Sequence, residues 1–199
     1  MAERVEFWFD PACPWTWITS RWLVEVSQLR NLEIEWNPFR LWHLNEGKDI
    51  PADYREHLAQ VKLGAQVTAG VHHLIPNQLG DFYTALGKRF FNEGAEKGEA
   101  TIAAALAECN LDQGILERAK EGEFDRHGDE STDRALALVG QDVGVPIIAV
   151  DGVAFFGPVL SPAPHGDDAV KLWDGTLALA RVPGFFELKR TRTTGPVFD

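Results

Sequence analysis

The first regular pattern in the chain is Val5-Glu6-Phe7-Trp8-Phe9, short, aromatic and β-branched, ended by Asp10-Pro11. It predicts a strand. Apolar positions then recur as Ile18, Trp22, Val26 and Leu29, with Trp17 and Leu23 beside them, which is the period of a helix with one buried face. Pro14 suits the first turn of that helix, where its missing N–H would have had no partner. Strict alternation returns in Leu32-Glu33-Ile34-Glu35-Trp36 and predicts a second strand, which Phe39-Arg40-Leu41 would continue past the Asn37-Pro38 interruption. Asn45 to Pro51 reads as a loop.

From about Ala52 to Gly140 the spacing is helical. Leu58, Val61 and Ala65 share one face, as do Tyr83, Leu86 and Phe90, then Ile102, Leu106 and Cys109, and last Leu136, Val139 and Val143. Gly80, Gly94, Gly98, Gly114, Gly122 and Gly128 punctuate the stretch, giving four or five helices. Strand character resumes at Pro146-Ile147-Ile148-Ala149-Val150. Asp151-Gly152 then precedes Val153-Ala154-Phe155-Phe156, the strongest short-range hairpin signal. A last helix is expected from Asp167 to Arg181, with Val170, Trp173, Leu177 and Ala180 on one face and two acidic residues at its start. The order is β-α-β, a block of helices, then β-β-α. This is an α/β chain with the arrangement of a thioredoxin fold carrying a large inserted helical subdomain. The boundaries expected are 1–50 and 141–199 for the thioredoxin-fold part and 51–140 for the insertion.

Composition narrows the function. The chain has 199 residues, of which 45% are hydrophobic, so a sizeable core is expected. No apolar run approaches the ~20 residues of a membrane span, and no signal peptide is visible, which points to the cytoplasm. A net charge of −11 disfavours nucleic acid and anionic membranes as partners. The basic cluster Lys189-Arg190-Thr191-Arg192 stands against that background. It is either a solvated tail segment or a contact for an anionic group of a partner or ligand. Seven Trp and twelve Phe fit either a large core or a face for homodimer formation.

Candidate chemistry centres on Cys13-Pro14-Trp15-Thr16. A thiol at a strand-to-helix junction faces unpaired backbone N–H groups and the positive end of the helix dipole, which favour the thiolate. Thr16 Oγ is placed either to donate to the sulfur or to serve as an ordinary helix-start hydroxyl. Asp10 is positioned to act as a base, to tune the thiol, or only to cap the turn. Cys109, on an apolar helix face before Asn110, reads as an inert core residue. Six histidines invite a metal hypothesis. His72 and His73, however, project about 100° apart on a helix. His127 lies in an acidic, Gly-containing run that reads as a solvated turn. No spacing supports zinc, and no Gly-rich phosphate loop implies a nucleotide.

Several blocks carry a resemblance: Phe7-Trp8-Phe9-Asp10-Pro11 with Cys13-Pro14-Trp15, Trp17 to Trp22, Gly152 to Leu160, and Phe185 to Arg192. The chain resembles the DsbA-like branch of the thioredoxin superfamily, and within it the actinobacterial mycothiol-dependent oxidoreductases described as nitroreductases. The resemblance runs nearly end to end. It implies catalysis at Cys13, with mycothiol as a cosubstrate and no tightly bound cofactor or metal. It implies that Val145-Pro146 is a cis-proline facing the cysteine. It also implies a pocket wall that includes Pro14, Trp15, Asn45 and Tyr54. The family's usual segment is Cys-Pro-Trp-Cys, and Thr16 stands where the second cysteine would be. The position before the proline is often Thr in the family and is Val145 here, so a hydroxyl is lost. A second thiol ordinarily resolves a mixed disulfide from within, and Thr16 cannot. The expected cycle is therefore monothiol: Cys13 attacks a disulfide or electrophile and a small thiol releases it. The competing readings are a thiol-cofactor-dependent transferase or isomerase, as in kappa-class glutathione transferases, and a redox-idle binding module. The former use a hydroxyl residue at the first motif position, where this chain keeps cysteine.

Overall fold

A computed structural model describes residues 2–198. Four strands form one sheet in the order β2-β1-β3-β4. β1 (Glu3–Phe9) and β2 (Leu32–Pro38) run parallel, joined by α1 (Pro14–Leu29). β3 (Ile147–Val150) lies antiparallel to β1 and pairs with β4 (Val153–Phe156) across a hairpin. Asp151 and Gly152 take φ of 53° and 80°, the pair of positive values that a two-residue turn needs to follow the strand twist. Between β2 and β3 come α2 (Leu41–Leu44), α3 (Ala52–Leu74), α4 (Leu79–Gly87), α5 (Glu99–Glu108), α6 (Gly114–Lys120) and α7 (Asp125–Val139), and α8 (Gly166–Ala180) follows the hairpin.

Alternation along β1 sends Val5, Phe7 and Phe9 to one side of the sheet and Trp8 to the other, each fully buried. The first side packs on Trp17, Ile18, Trp22 and Val26 of α1, on Trp173 of α8, and on α3 to α6. Phe9 stacks on Tyr83 of α4 at 3.9 Å between ring centroids, and Trp22 Nε1 donates to Ala169 O at 3.0 Å, tying α1 to α8. The second side gathers Trp8, Ile147 and Ala149 with Ala135 and Leu136 of α7, and Cys13 and Val145 belong to this smaller cluster.

Four local expectations are corrected. Phe39 donates its N–H to Phe9 O at 2.8 Å, one step beyond β2, but Leu41 opens a short helix instead of continuing the strand. Its N–H is taken by Asp10 Oδ2 at 2.9 Å, which turns the chain. Gly128 interrupts nothing; it lies inside α7, where a Cβ would meet Arg40 Cδ at 2.6 Å. Gly140, with φ 85°, ends α7, so Val143 falls in the following loop. Leu29 is exposed at the last residue of α1.

Candidate active site

The sulfur sits where β1 hands over to α1. Asp10 organises the crossing. Its carboxylate, 3% exposed, accepts the Ala12 N–H on one oxygen and the Leu41 N–H on the other, both at 2.9 Å. Cys13 N donates to Asp10 O at 3.1 Å, and Cys13 O accepts the Trp17 N–H at 3.2 Å as the first bond of α1. Pro14 occupies the start of the helix. Of the two roles weighed for Asp10 that need no proton transfer, turn capping is thus met directly.

The thiol points across the sheet end to the loop before β3. Its S–H donates to Val145 O at 3.8 Å, and the Val145–Pro146 peptide is cis. Cys13 is 9% exposed. This burial corrects the expectation of a stabilised thiolate: removal from water is the largest influence and raises the Cys13 pKa above that of an ordinary cysteine. The Thr16 side chain and the Thr16 and Trp15 amides act in the opposite direction, as the helix start should, while the Asp10 carboxylate adds to the rise. The amides at the helix start are present, but burial outweighs them. Thr16 is fully buried; its hydroxyl completes no hydrogen bond of full geometry among the described residues, yet it lies close enough to the sulfur to be the largest influence opposing burial.

Of the other candidates, Pro14 and Trp15 are half-buried beside the thiol. Tyr54, on the first turns of α3, is 38% exposed. Burial raises its phenol pKa, with Asp10 and Cys13 contributing, which puts the ring within electrostatic reach of the sulfur. Asn45 Nδ2 donates to Leu41 O at 2.8 Å, closing the end of α2. Cys109 terminates α5 and is partly exposed, not a sealed core residue. Burial is the largest cause of its raised pKa, followed by Glu108 and Asp81. Cys109, Glu108 and Asp81 are not among the groups that shift Cys13, and both cysteines are free.

Two cations of the site escaped sequence reading. Lys97, half-buried in the loop before α5, donates to Ala12 O at 2.9 Å. Burial lowers its pKa, against the pull of Asp10 and Cys13. Its position depends on a 23-residue helix and several turns, so no local signal exposes it. Arg192 lays its guanidinium over the Trp15 ring at 4.7 Å. Here a signal existed in the basic run, but its destination did not follow from it. His127 is also corrected. It lies on α7, not in a solvated turn, with Nε2 2.8 Å from His72 Nδ1. A groove of about 550 Å³ along β2, bounded in part by Trp36, His72 and Asp81, does not include the thiol.

The profile of one protein family, described as Rv2466c-like, mycothiol-dependent nitroreductase Rv2466c, matches residues 12–190. An uncharacterised protein of Mycobacterium tuberculosis, Rv2286c, is 28% identical over 198 residues, covering 97% of this chain and 84% of that protein. Among solved structures, a 2-hydroxychromene-2-carboxylate isomerase superposes with a TM-score of 0.61 at 17% identity, over 88% of this chain and 94% of that one. The cytosolic disulfide reductase DsbM of Pseudomonas aeruginosa superposes at 0.54 with 19% identity, over 88% and 99%. DsbA of the same organism superposes at 0.53 with 16% identity, over 91% and 87%. At such identities these structures establish the DsbA-like thioredoxin fold. No helix among the described residues is long and apolar enough to cross a membrane.

Proposed function

The chain belongs to the Rv2466c-like family of mycothiol-dependent nitroreductases, and from that premise we propose that it is a thiol-disulfide oxidoreductase working through Cys13 alone, with mycothiol as the resolving thiol. The carrying observation is the placement of Cys13 at the start of α1, against Val145 O, with Thr16 at the position where a resolving thiol would sit. Once deprotonated, the Cys13 sulfur attacks one sulfur of a disulfide. A Cys13–substrate disulfide forms and the other half leaves as a thiolate. The thiolate of mycothiol then attacks the substrate-side sulfur and returns Cys13, which takes up a proton. The substrate half leaves joined to mycothiol. Pro14, Trp15, Tyr54 and the Val145–Pro146 backbone form the wall against which the substrate lies, and the helices of 51–140 act as the inserted subdomain beside it. Asn45 serves this wall by fixing the end of α2. The reaction belongs in the cytoplasm, where a small-thiol pool keeps the cycle turning.

The raised Cys13 pKa favours a second reading, in which the site activates a bound thiol for transfer or isomerisation without forming a disulfide. Intact-mass analysis after incubation with mycothiol disulfide separates the two. One adduct on Cys13, released by free mycothiol, is the expected result. Absence of an adduct even at alkaline pH, with mycothiol transferred to an electrophile, would sink the first reading in favour of the second.

A further inference from the structure

The residues after α8 form a strap that passes over the thiol end of the molecule. Phe185 packs on Phe155 of β4 at 5.7 Å. Further on, Ser161 Oγ donates to Gly195 O at 2.7 Å and accepts the Val197 N–H at 3.0 Å. Phe198 then packs against Phe91 at 5.3 Å. Between these anchors the chain exposes Lys189, Arg190 and Arg192, and Arg192 Cζ lies over the Trp15 ring, 4.7 Å from its centre. None of the three forms an ion pair among the described residues, in a chain whose net charge is −11. Most of the other arginines are paired. Arg4, Arg30, Arg40, Arg89, Arg118, Arg126, Arg134 and Arg181 each meet a carboxylate. Lys97 adds a further positive charge beside Ala12, on the residue preceding the thiol.

A guanidinium lying on an indole has its plane fixed, while its N–H edges stay directed outward in the fork that fits a carboxylate, sulfonate or phosphate. We infer that Arg192, held over Trp15 two residues from Cys13, forms an anion-binding subsite to which the neighbouring Lys189 and Arg190 of the strap add positive charge. The site then takes disulfides or electrophiles that carry a negatively charged group. The inference rests on Cys13 as the reacting centre for its meaning, but anion binding at the strap is testable without any reaction.

The test uses the full chain with Cys13→Ser and Cys109→Ser, so that no thiol reacts, in equilibrium dialysis. The probes are the dianionic aryl disulfide 5,5′-dithiobis(2-nitrobenzoate) and the neutral 2,2′-dithiodipyridine. At low salt the dianion is expected to bind about fivefold or more tighter than the neutral probe, with the difference falling as salt is raised. Arg192→Gln should weaken the dianion by about fivefold and leave the neutral probe within about twofold, and Arg192→Lys should fall between. Equal affinity for the two probes, equal losses for both, or binding of neither overturns the subsite. In parallel, the Cys109→Ser protein retaining Cys13 is exposed to the same disulfides. Dianion binding without an adduct there rejects the nucleophile and keeps the subsite; an adduct without charge discrimination does the reverse.

Discussion

The two cysteines sit at opposite ends of two helices, and the comparison shows what a helix terminus can and cannot do for a thiol. Cys13 precedes α1, where N–H groups of Trp15 and Thr16 face the sulfur. Cys109 follows α5, with Glu108 and Asp81 nearby. A dipole argument alone would make the first acidic and the second basic. Both are instead raised, and burial is the leading cause at each. The difference lies in what opposes burial. At Cys13 a hydroxyl and two amides do so; at Cys109 a single nearby cation, Arg89, opposes two carboxylates. Burial at Cys13 is therefore opposed by three neighbouring groups, whereas at Cys109 it is reinforced by two carboxylates.

The largest expected effect breaks this comparison outright. Cys13→Ser should abolish adduct formation with mycothiol disulfide in intact-mass spectra, and Cys109→Ser should leave it intact. Loss of the adduct in the Cys109 variant would overturn the monothiol scheme. Next, Thr16→Cys should turn a lasting Cys13 adduct into a transient one. A neighbouring thiol acts at a high effective concentration, so release without added thiol should speed up by about 100-fold or more. Quenched-flow mass analysis reads this, and an unchanged adduct lifetime would show that position 16 cannot reach the sulfur.

Asp10→Asn sharpens the account of burial. Removing the carboxylate takes away one of the influences that raise Cys13, so the midpoint of its alkylation with iodoacetamide should move to lower pH. Each unit of movement multiplies the neutral-pH rate by about ten. In the parent the rate should still be climbing above the range of a free cysteine. The same change leaves one of the two amides facing an NH2 donor in place of an acceptor, and should cost about 1–3 kcal/mol in denaturant unfolding. A profile unmoved by Asp10→Asn would place the rise in burial alone.

The smallest effect extends the comparison to a base. Burial, with His127 next, lowers the His72 pKa from 6.5 to about 4. Desolvation disfavours the charged form in both cases, so it raises an acid and lowers a base. The unfolded chain then binds the extra proton first, and stability falls as pH drops from about 6.5 towards 4. Partial exposure of the ring limits the effect to about 1–2 kcal/mol. His72→Gln should flatten that stretch of the stability curve. An unchanged slope would assign the acid sensitivity elsewhere.

Periodicity and turn chemistry made most of the fold legible. The alternation in β1 and β2, the Asp151-Gly152 turn and the faces of α1 and α8 each rest on neighbouring residues, and each is present. The errors fall where a distant partner takes over a backbone group or a small residue. Leu41 leaves the strand because Asp10 captures its N–H, and Gly128 is needed inside α7 because Arg40 passes over it. Thiol placement was legible for the same local reason as the helix. Lys97, Arg192 and Tyr54 were not legible as a group, because they reach the Ala12–Trp15 region from three separate segments.

The sequence by itself determined that a single thiol opens the first helix of a thioredoxin-like β-α-β unit, since a strand, a Pro-containing junction and a 3.6-residue period are properties of adjacent residues. Only the tertiary structure decided the state of that thiol. Its proton affinity depends on how much water the Val145 loop and the surrounding core exclude, and on which charges of distant segments arrive beside it. Those quantities depend on three-dimensional packing, to which the order of residues near Cys13 gives no direct access.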